Sequence, residues 1–362
     1  MKLAIPRAYL GTMTFGWSQT SSYVDEAVAQ KMIERFVAFD EEILPSSEQP
    51  HFHYIDTARI YAGGKTEKII GAVLKKMKST SNLKIGTKAA PSVKPGGLSA
   101  EGIMEQFQAS MDAMGLTGCD EYYLHQPDTE HDLLESLKCA DNLLKEGKIK
   151  RIGMSNYHAS EVERAFSLCS EYNLTPPSVY QGLYNPLNRQ VEDELLPILR
   201  SNSCSFVAYN PLAAGLLTGK HKHLDVVAKG RFKENQNYLP RFYTRANFEA
   251  LRIIQDECEK MHITMVEATF RWLLCHSALD ASRDGFLLGA SSLRQLDENM
   301  AACRAAASSP PLTPEMLAAF DQAWELTREG AFKYWRSYSS DMPNRETLDQ
   351  GASYNAAKTK TG

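Results

Sequence analysis

Short apolar runs recur along the chain at near-regular intervals, at residues 9–11, 53–58, 83–89, 120–125, 149–156, 178–184, 204–209 and 285–289. Their length and their turn-rich flanks predict strands. Between them apolar residues return at helical spacing. Residues 26–39 place Ala27, Met32, Phe36 and Phe39 on one face, and 101–114 do the same with Ile103, Phe107, Met111 and Met114. Residues 131–145 carry Leu133, Leu134, Leu137, Leu143 and Leu144 and end at Gly147, a helix stop; 160–172 and 191–200 continue the alternation.

Strands alternating with helices over this length predict a parallel α/β architecture. An open nucleotide-binding sheet carries a Gly-rich turn after its first strand, and residues 9–17, with two glycines five apart, miss that pattern. Polar residues stand instead at the C-terminal ends of many strands, the face on which barrels build chemistry. The prediction is a (β/α)8 TIM barrel forming one domain over residues 1–338. It has a long loop after the seventh strand (213–246) and a C-terminal helical segment. The Glu-, Ser- and Pro-containing stretch 41–50 reads as a surface insertion, and the polar tail 339–362 as disordered.

Composition narrows the class little. With 43% hydrophobic and 23% charged residues the chain is an ordinary globular protein. A net charge of −4, with no basic run, argues against nucleic acid or an anionic membrane as partner. No stretch has the ~20 apolar residues of a membrane span, and the N-terminus lacks a signal-like run. The seven cysteines, odd in number and never at metal-ligand or redox-pair spacing, predict reduced thiols, no metal site and a cytoplasmic protein.

The chemistry gathers at three consecutive strand ends. Tyr54-Ile-Asp-Thr-Ala-Arg-Ile-Tyr61 ends a strand on Asp56 and carries Tyr61 in the following turn; Lys88 ends the next strand and His125 the one after. Singly, these read as a strand-end cap, a surface lysine and a loop histidine. Together they form a proton donor for a carbonyl oxygen. A phenol with pKa near 10 is brought toward neutrality by a nearby ammonium. A buried ammonium needs a counter-charge, which Asp56 supplies, and a neutral His125 can donate to the substrate oxygen. Reduction also needs a hydride, which no side chain provides, so a nicotinamide cofactor follows. Ser155-Asn156 and Gln181, on the next two strands, offer the donors and acceptors a carboxamide requires, and Tyr209 offers a ring to stack or to plug the barrel mouth.

These motifs resemble the aldo-keto reductase superfamily over residues 9–336. The likeness rests on Asp56-Thr-Ala-Arg-Ile-Tyr61, Lys88, Tyr122-Tyr-Leu-His125, Gly153-Met-Ser-Asn156, Gln181, Tyr209-Asn-Pro-Leu212 and Gly289-Ala-Ser-Ser-Leu-Arg-Gln-Leu-Asp-Glu-Asn299. Tyr209 to Lys220, Gly230-Arg-Phe232 and Lys333-Tyr-Trp-Arg336 are most similar to the aflatoxin-aldehyde (succinic semialdehyde) reductase branch. The resemblance implies a catalytic tetrad of Asp56, Tyr61, Lys88 and His125, with Tyr61 as acid. It implies NADPH (NADP+), with Thr12, Met13, Asp56, Ser155, Asn156, Gln181 and Tyr209 toward the nicotinamide. Asn210, Pro211, Leu212, Lys220 and Arg231 would follow the pyrophosphate, and Gly289, Ser291, Gln295, Glu298 and Asn299 the adenosine end. Because many relatives carry arginine where Gln295 stands, positive charge for a 2′-phosphate falls to Lys220, Arg231 or Arg294. Arg336 is the implied clamp for carboxylate-bearing aldehydes, although this chain runs on to Gly362 where those relatives end. Trp17, with Met13 and Trp335, is a candidate pocket wall, and a homodimer is the assembly implied.

The expected activity is therefore NADPH-dependent reduction of aldehydes and ketones. The alternative is a cofactor-binding regulatory subunit resembling the potassium-channel β subunits. A glycosidase would need two facing carboxylates, and a Schiff-base aldolase would leave Asn156, Gln181 and Tyr209 without a role.

Overall fold

The alternating runs form eight parallel strands: β1 (Arg7–Gly11), β2 (His53–Asp56), β3 (Leu83–Ala89), β4 (Cys119–Leu124), β5 (Ile149–Ser155), β6 (Val179–Leu183), β7 (Ser205–Tyr209) and β8 (Gly285–Gly289). In this computed structural model each strand pairs with the next, and β8 returns to β1 in the register Arg7↔Gly285 to Gly11↔Gly289, closing the barrel. The structure describes residues 4–20, 22–43, 52–77, 79–227, 232–233, 235 and 238–352.

Period-2 alternation sorts each strand's side chains into two layers. Leu10, Ile55, Ile85, Tyr122, Ile152, Tyr180, Phe206 and Leu288 belong to the large core between sheet and helices. Their neighbours Tyr9, Tyr123, Val179, Val207 and Leu287 form a separate cluster, with Tyr54 and Tyr209 against it, which fills the barrel interior. The barrel is thus plugged below and open to chemistry only at the mouth, where Asp56 and Ser155 end their strands and Lys88 stands one residue before the end of its own.

Several boundaries differ from the sequence reading. The first helix runs Glu26–Ile43, so residues 41–43 are helical rather than part of an insertion; residues 44–50 lie outside the described residues. Within that helix Ala27 faces outward and Ala29 inward. The segment 191–200 becomes a tight turn at Gln190–Glu192 followed by a helix at Leu195–Ser201. Pro197 explains this: having no N–H, it suits only a first turn, which sets the helix start just before it. Among the described residues a short helix, Leu239–Phe242, and two longer ones, Arg245–Met261 and Met265–Cys275, separate β7 from β8, and Leu293–Ser308 and Pro314–Thr327 complete the C-terminal part. No helix among the described residues is long and apolar enough to cross a membrane. None of the seven cysteines is in a disulfide.

The loop after β7 crosses the mouth toward the β1 side, where Asn235 Nδ2 donates to Gln19 Oε1 (3.2 Å) and the Tyr238 ring lies 6.4 Å from that of Trp17. The tail departs most from expectation. Residues 339–352 are docked rather than disordered, while 353–362 lie outside the described residues. Ser339 N–H donates to Glu161 Oε1 (2.9 Å), Ser340 N–H to the Asp128 carbonyl (2.9 Å) and Arg345 Nη1 to the Thr129 carbonyl (3.1 Å). Asp341 accepts the N–H of Leu133 (3.0 Å), the first residue of the helix Leu133–Lys145, and pairs with Arg164. The chain then returns so that Ala352 N–H meets the Trp335 carbonyl at 2.8 Å. A segment too polar to build a core is held by hydrogen bonds to helix starts and loop carbonyls, a source of order that hydropathy does not register.

Replacing Asp341 by Ala removes both a helix-start acceptor and an ion pair. It should cost about 1–2 kcal/mol, read as a lower urea midpoint at unchanged m-value. A midpoint equal to wild type would mean the tail is not docked in solution.

Candidate active site

β2 ends on a carboxylate that water barely reaches: Asp56 is 3% exposed and Lys88 fully buried. Lys88 Nζ donates to Asp56 Oδ1 (2.5 Å) and to the Thr57 carbonyl (2.7 Å), and Gln181 Nε2 donates to the same Asp56 oxygen (2.9 Å). Thr12 clamps this strand end, donating its N–H (3.0 Å) and its hydroxyl (2.8 Å) to the Asp56 carbonyl. Burial pulls the Lys88 ammonium below its ordinary pKa, opposed by Asp56 and then by Glu121 and Glu67.

Tyr61 opens a tight turn, Tyr61–Gly64, in which Ala62, Gly63 and Gly64 all adopt left-handed backbone. At Gly64 (φ +85°) a Cβ would stand 2.7 Å from Arg59 Nη2, so only glycine admits both the turn and the guanidinium. Arg59 in turn pairs with the fully buried Glu67 (2.5 Å), whose other oxygen accepts from Thr87 Oγ1 (2.8 Å). The turn that carries Tyr61 is therefore pinned to β3. The half-buried phenol ring lies with its centroid 5.4 Å from Lys88 Nζ and 5.8 Å from the His125 ring, edge-on.

His125 follows β4, its N–H bonded to the Ala89 carbonyl (2.9 Å). Burial, then the positive charges of Lys88 and Arg336, hold its pKa well below the usual imidazole value. The ring is thus neutral near pH 7, and Nδ1 has no hydrogen-bond partner among the described residues. The structure brings all four strand-end residues together, with a phenol and a neutral imidazole facing the opening and the ion pair beneath.

The opposite side of the mouth carries the residues expected at the cofactor. Asn156 (φ +64°) donates Nδ2 to the His125 carbonyl (2.8 Å) and to Ser155 Oγ (2.9 Å), and accepts the Tyr209 hydroxyl on Oδ1 (2.8 Å). Asn156 and Gln181 thus use N–H groups within the protein, and Ser155 Oγ with the second lone pair of Asn156 Oδ1 can meet a carboxamide. Asn210 (φ +54°), buried Pro211 and half-buried Leu212 lead into a turn in which Ala213, Ala214 and Gly215 are left-handed.

Beyond β8 the exposed Gly289 opens on free space, since a Cβ there would meet nothing within 4 Å. Ser291 donates its N–H and hydroxyl to Gln295 Oε1 (2.9 Å each), Ser292 caps the helix Leu293–Ser308, and Asn299 Nδ2 reaches the Gly289 carbonyl (3.2 Å). Glu298 draws Arg294 (3.0 Å) and Lys220 (4.0 Å) to the same helix start. A helix start near which Arg294 and Lys220 pair with Glu298, an open glycine and the half-buried Tyr209 ring bonded to Asn156 fit a phosphate-bearing nicotinamide dinucleotide. Arg231 lies outside the described residues. Met13 and Trp17 are half-buried at the rim.

Arg336 lies beside the site. Its backbone N–H donates to the Asn156 carbonyl (2.9 Å), and its guanidinium carbon lies 5.3 Å from the Phe332 ring centroid. Its charge is among those lowering His125. Sequence reasoning missed Glu67, Glu121, Tyr123 and Arg151. An acid in the first turn of a helix reads as a dipole partner, and alternation alone does not say which buried polar residues meet. Among the described residues no group of three or more His, Cys, Asp or Glu side chains is arranged to hold a metal.

The chain matches the model of the aldo/keto reductase family over residues 8–325. It is 36% identical to mouse aflatoxin B1 aldehyde reductase member 2 over 347 residues, covering 91% of this chain and 88% of that one. It is 38% identical to human aldo-keto reductase family 7 member A3, covering 78% of this chain and 87% of that one. A fungal relative, oxidoreductase sirO of Leptosphaeria maculans, is 33% identical, covering 81% of this chain and 88% of the relative.

Because the His125 pKa is lowered, nitrogen-15 NMR of the imidazole should show the neutral ring persisting from pH 8 to below the ordinary midpoint near 6.5. Protonation at or above that midpoint would contradict the surroundings described.

Proposed function

This chain belongs to the aldo/keto reductase family, and on that premise we propose that it is an NADPH-dependent reductase of aldehydes and ketones favouring substrates that carry a carboxylate. Reduction of carbonyls with NAD(P)H goes with the family. The choice of NADPH is supported by Lys220 and Arg294, gathered at the start of the helix Leu293–Ser308 where a 2′-phosphate would add two negative charges.

When bound, the nicotinamide supplies the hydride. The chain's own residues supply the rest. A carbonyl oxygen at the opening between Tyr61 and His125 receives a hydrogen bond from the neutral imidazole, which fixes its direction. Tyr61 gives it the phenolic proton as negative charge develops. Lys88 makes that transfer easier by favouring the phenolate left behind, and Asp56 keeps Lys88 an ammonium in a place that would otherwise neutralise it. Ser155 and Asn156 would hold the carboxamide, and the Tyr209 ring, fixed by its bond to Asn156, would stack on the nicotinamide.

The observation that carries the substrate preference is Arg336. It is 9% exposed, and its charge reaches His125. A guanidinium so placed, with Nη1 reaching the Ala352 carbonyl (3.5 Å), can pair with a substrate carboxylate where low water content strengthens the pairing.

Tyr61→Phe should reduce kcat by about 10²-fold or more with cofactor affinity retained; turnover near wild type would mean that the proton comes from elsewhere. Arg336→Ala should raise KM for 2-carboxybenzaldehyde roughly 10- to 100-fold, the worth of a hydrogen bond to a charged group, with 4-nitrobenzaldehyde little changed. An equal loss on both aldehydes would remove the clamp from the account.

A further inference from the structure

Inward-facing residues of β4 form a column that the mechanism above does not use in full. Glu121, Tyr123 and His125 stand two apart, so they share the interior face, one above another. His125 is at the mouth. Below it, Tyr123 and Glu121 are buried. Strand register fixes their neighbours: Lys88 is opposite Tyr123 on the β3 side, Glu121 opposite Arg151 and Tyr123 opposite Gly153 on the β5 side.

The contacts follow that register. Lys88 Nζ lies 5.3 Å from the Tyr123 ring centroid and 5.4 Å from that of Tyr61, so the ammonium sits between two aromatic rings. The Tyr123 hydroxyl donates to Glu121 Oε2 (2.5 Å), while Glu121 Oε1 accepts from Arg151 Nη1 (2.7 Å) and Tyr9 Oη (3.2 Å). Arg151 is fastened below to the Ser178 carbonyl (2.8 Å) and to the Ser205 hydroxyl. Space for the ring is made by Gly153, where a Cβ would stand 2.3 Å from Tyr123 Cδ1.

A plug of aliphatic side chains would fill a barrel without burying an ion pair, which is costly to desolvate. The pair here stands beneath an ammonium that burial disfavours. We propose that Tyr123 and Glu121, anchored by Arg151, are positioning residues for Lys88: they hold its ammonium in place and charged from the β4 side, while Asp56 holds it from the β2 side. The proposal rests on the reading of Lys88 as the group that assists Tyr61.

The charges around Lys88 agree. Asp56 on β2, Glu121 on β4 and Glu67 on the helix Lys65–Lys76 favour the ammonium; His125 is neutral, Arg59 is paired with Glu67, and Arg151 lies beyond Glu121. Burial raises the Glu121 carboxyl, and Arg151 together with the two phenol donors opposes that. Beside a guanidinium at 2.7 Å we take it as a carboxylate.

The test follows Lys88 directly in full-length protein labelled with lysine carrying carbon-13 at the ε position, its resonance assigned by its loss in Lys88→Met. Removing the Glu121 charge disfavours the ammonium. In Glu121→Gln the Lys88 titration and the alkaline limb of kcat/KM should therefore both move down by about one pH unit, with KM for NADPH unchanged. Tyr123→Leu, which removes the ring, should move both down by roughly half a unit, and Tyr123→Phe, which keeps it, by less. A folded Glu121→Gln with the Lys88 titration unmoved overturns the proposal; if that variant does not fold, an unmoved titration in Tyr123→Leu does so. Full turnover in Lys88→Met would sink the catalytic reading of Lys88 instead, whatever the titrations show.

Discussion

The site depends on one ion pair placed where water does not reach it. Lys88 and Asp56 meet at 2.5 Å at the mouth of the barrel, with side chains 0% and 4% exposed. Either charge alone would be expelled or neutralised there, and together they are tolerated only because the remaining hydrogen-bonding capacity is filled, by the Thr57 carbonyl on one side and Gln181 on the other. The barrel makes this possible. It brings Asp56 from β2, Lys88 from β3, His125 from the end of β4 and Gln181 from β6 to one level without any of them being close in sequence.

From that pair the rest of the mouth can be understood as support. Thr12 fixes the end of β2 and the Arg59–Glu67–Thr87 cluster fixes the turn of Tyr61. Asn156 ties the His125 carbonyl to Tyr209. Arg336, reached through the chain after the last long helix, adds positive charge beside His125 and helps to keep it neutral. The docked tail passes the same region, with Ala352 N–H bonded to the Trp335 carbonyl and the Ala352 carbonyl 3.5 Å from Arg336 Nη1.

How much of this was legible depended on whether a feature is periodic or convergent. Strands with apolar alternation were placed within a few residues, since each shows its period over its own length; the end of β2 at Asp56 rather than residue 58 is an ordinary error of that kind. The meeting of Asp56, Tyr61, Lys88 and His125 could be read because three consecutive strand ends carried unusual residue types. Glu67, Glu121, Tyr123 and Arg151 could not, because their meaning lies in register across neighbouring strands. Tyr123 looks like any strand tyrosine until Lys88 is found beside it. The tail was misread because hydropathy registers apolar burial, and residues 339–352 are held by hydrogen bonds.

The most direct test of the account is steady-state oxidation of NADPH, with NADH in parallel, against 2-carboxybenzaldehyde, succinic semialdehyde and 4-nitrobenzaldehyde. The account predicts turnover of all three, a higher kcat/KM with NADPH than with NADH, and a higher kcat/KM for the two acids than for the neutral aldehyde. Tight NADPH binding with no turnover of any of them would contradict it, and would leave the ion pair, the phenol and the neutral imidazole as parts of a cofactor-sensing site rather than of a reductase.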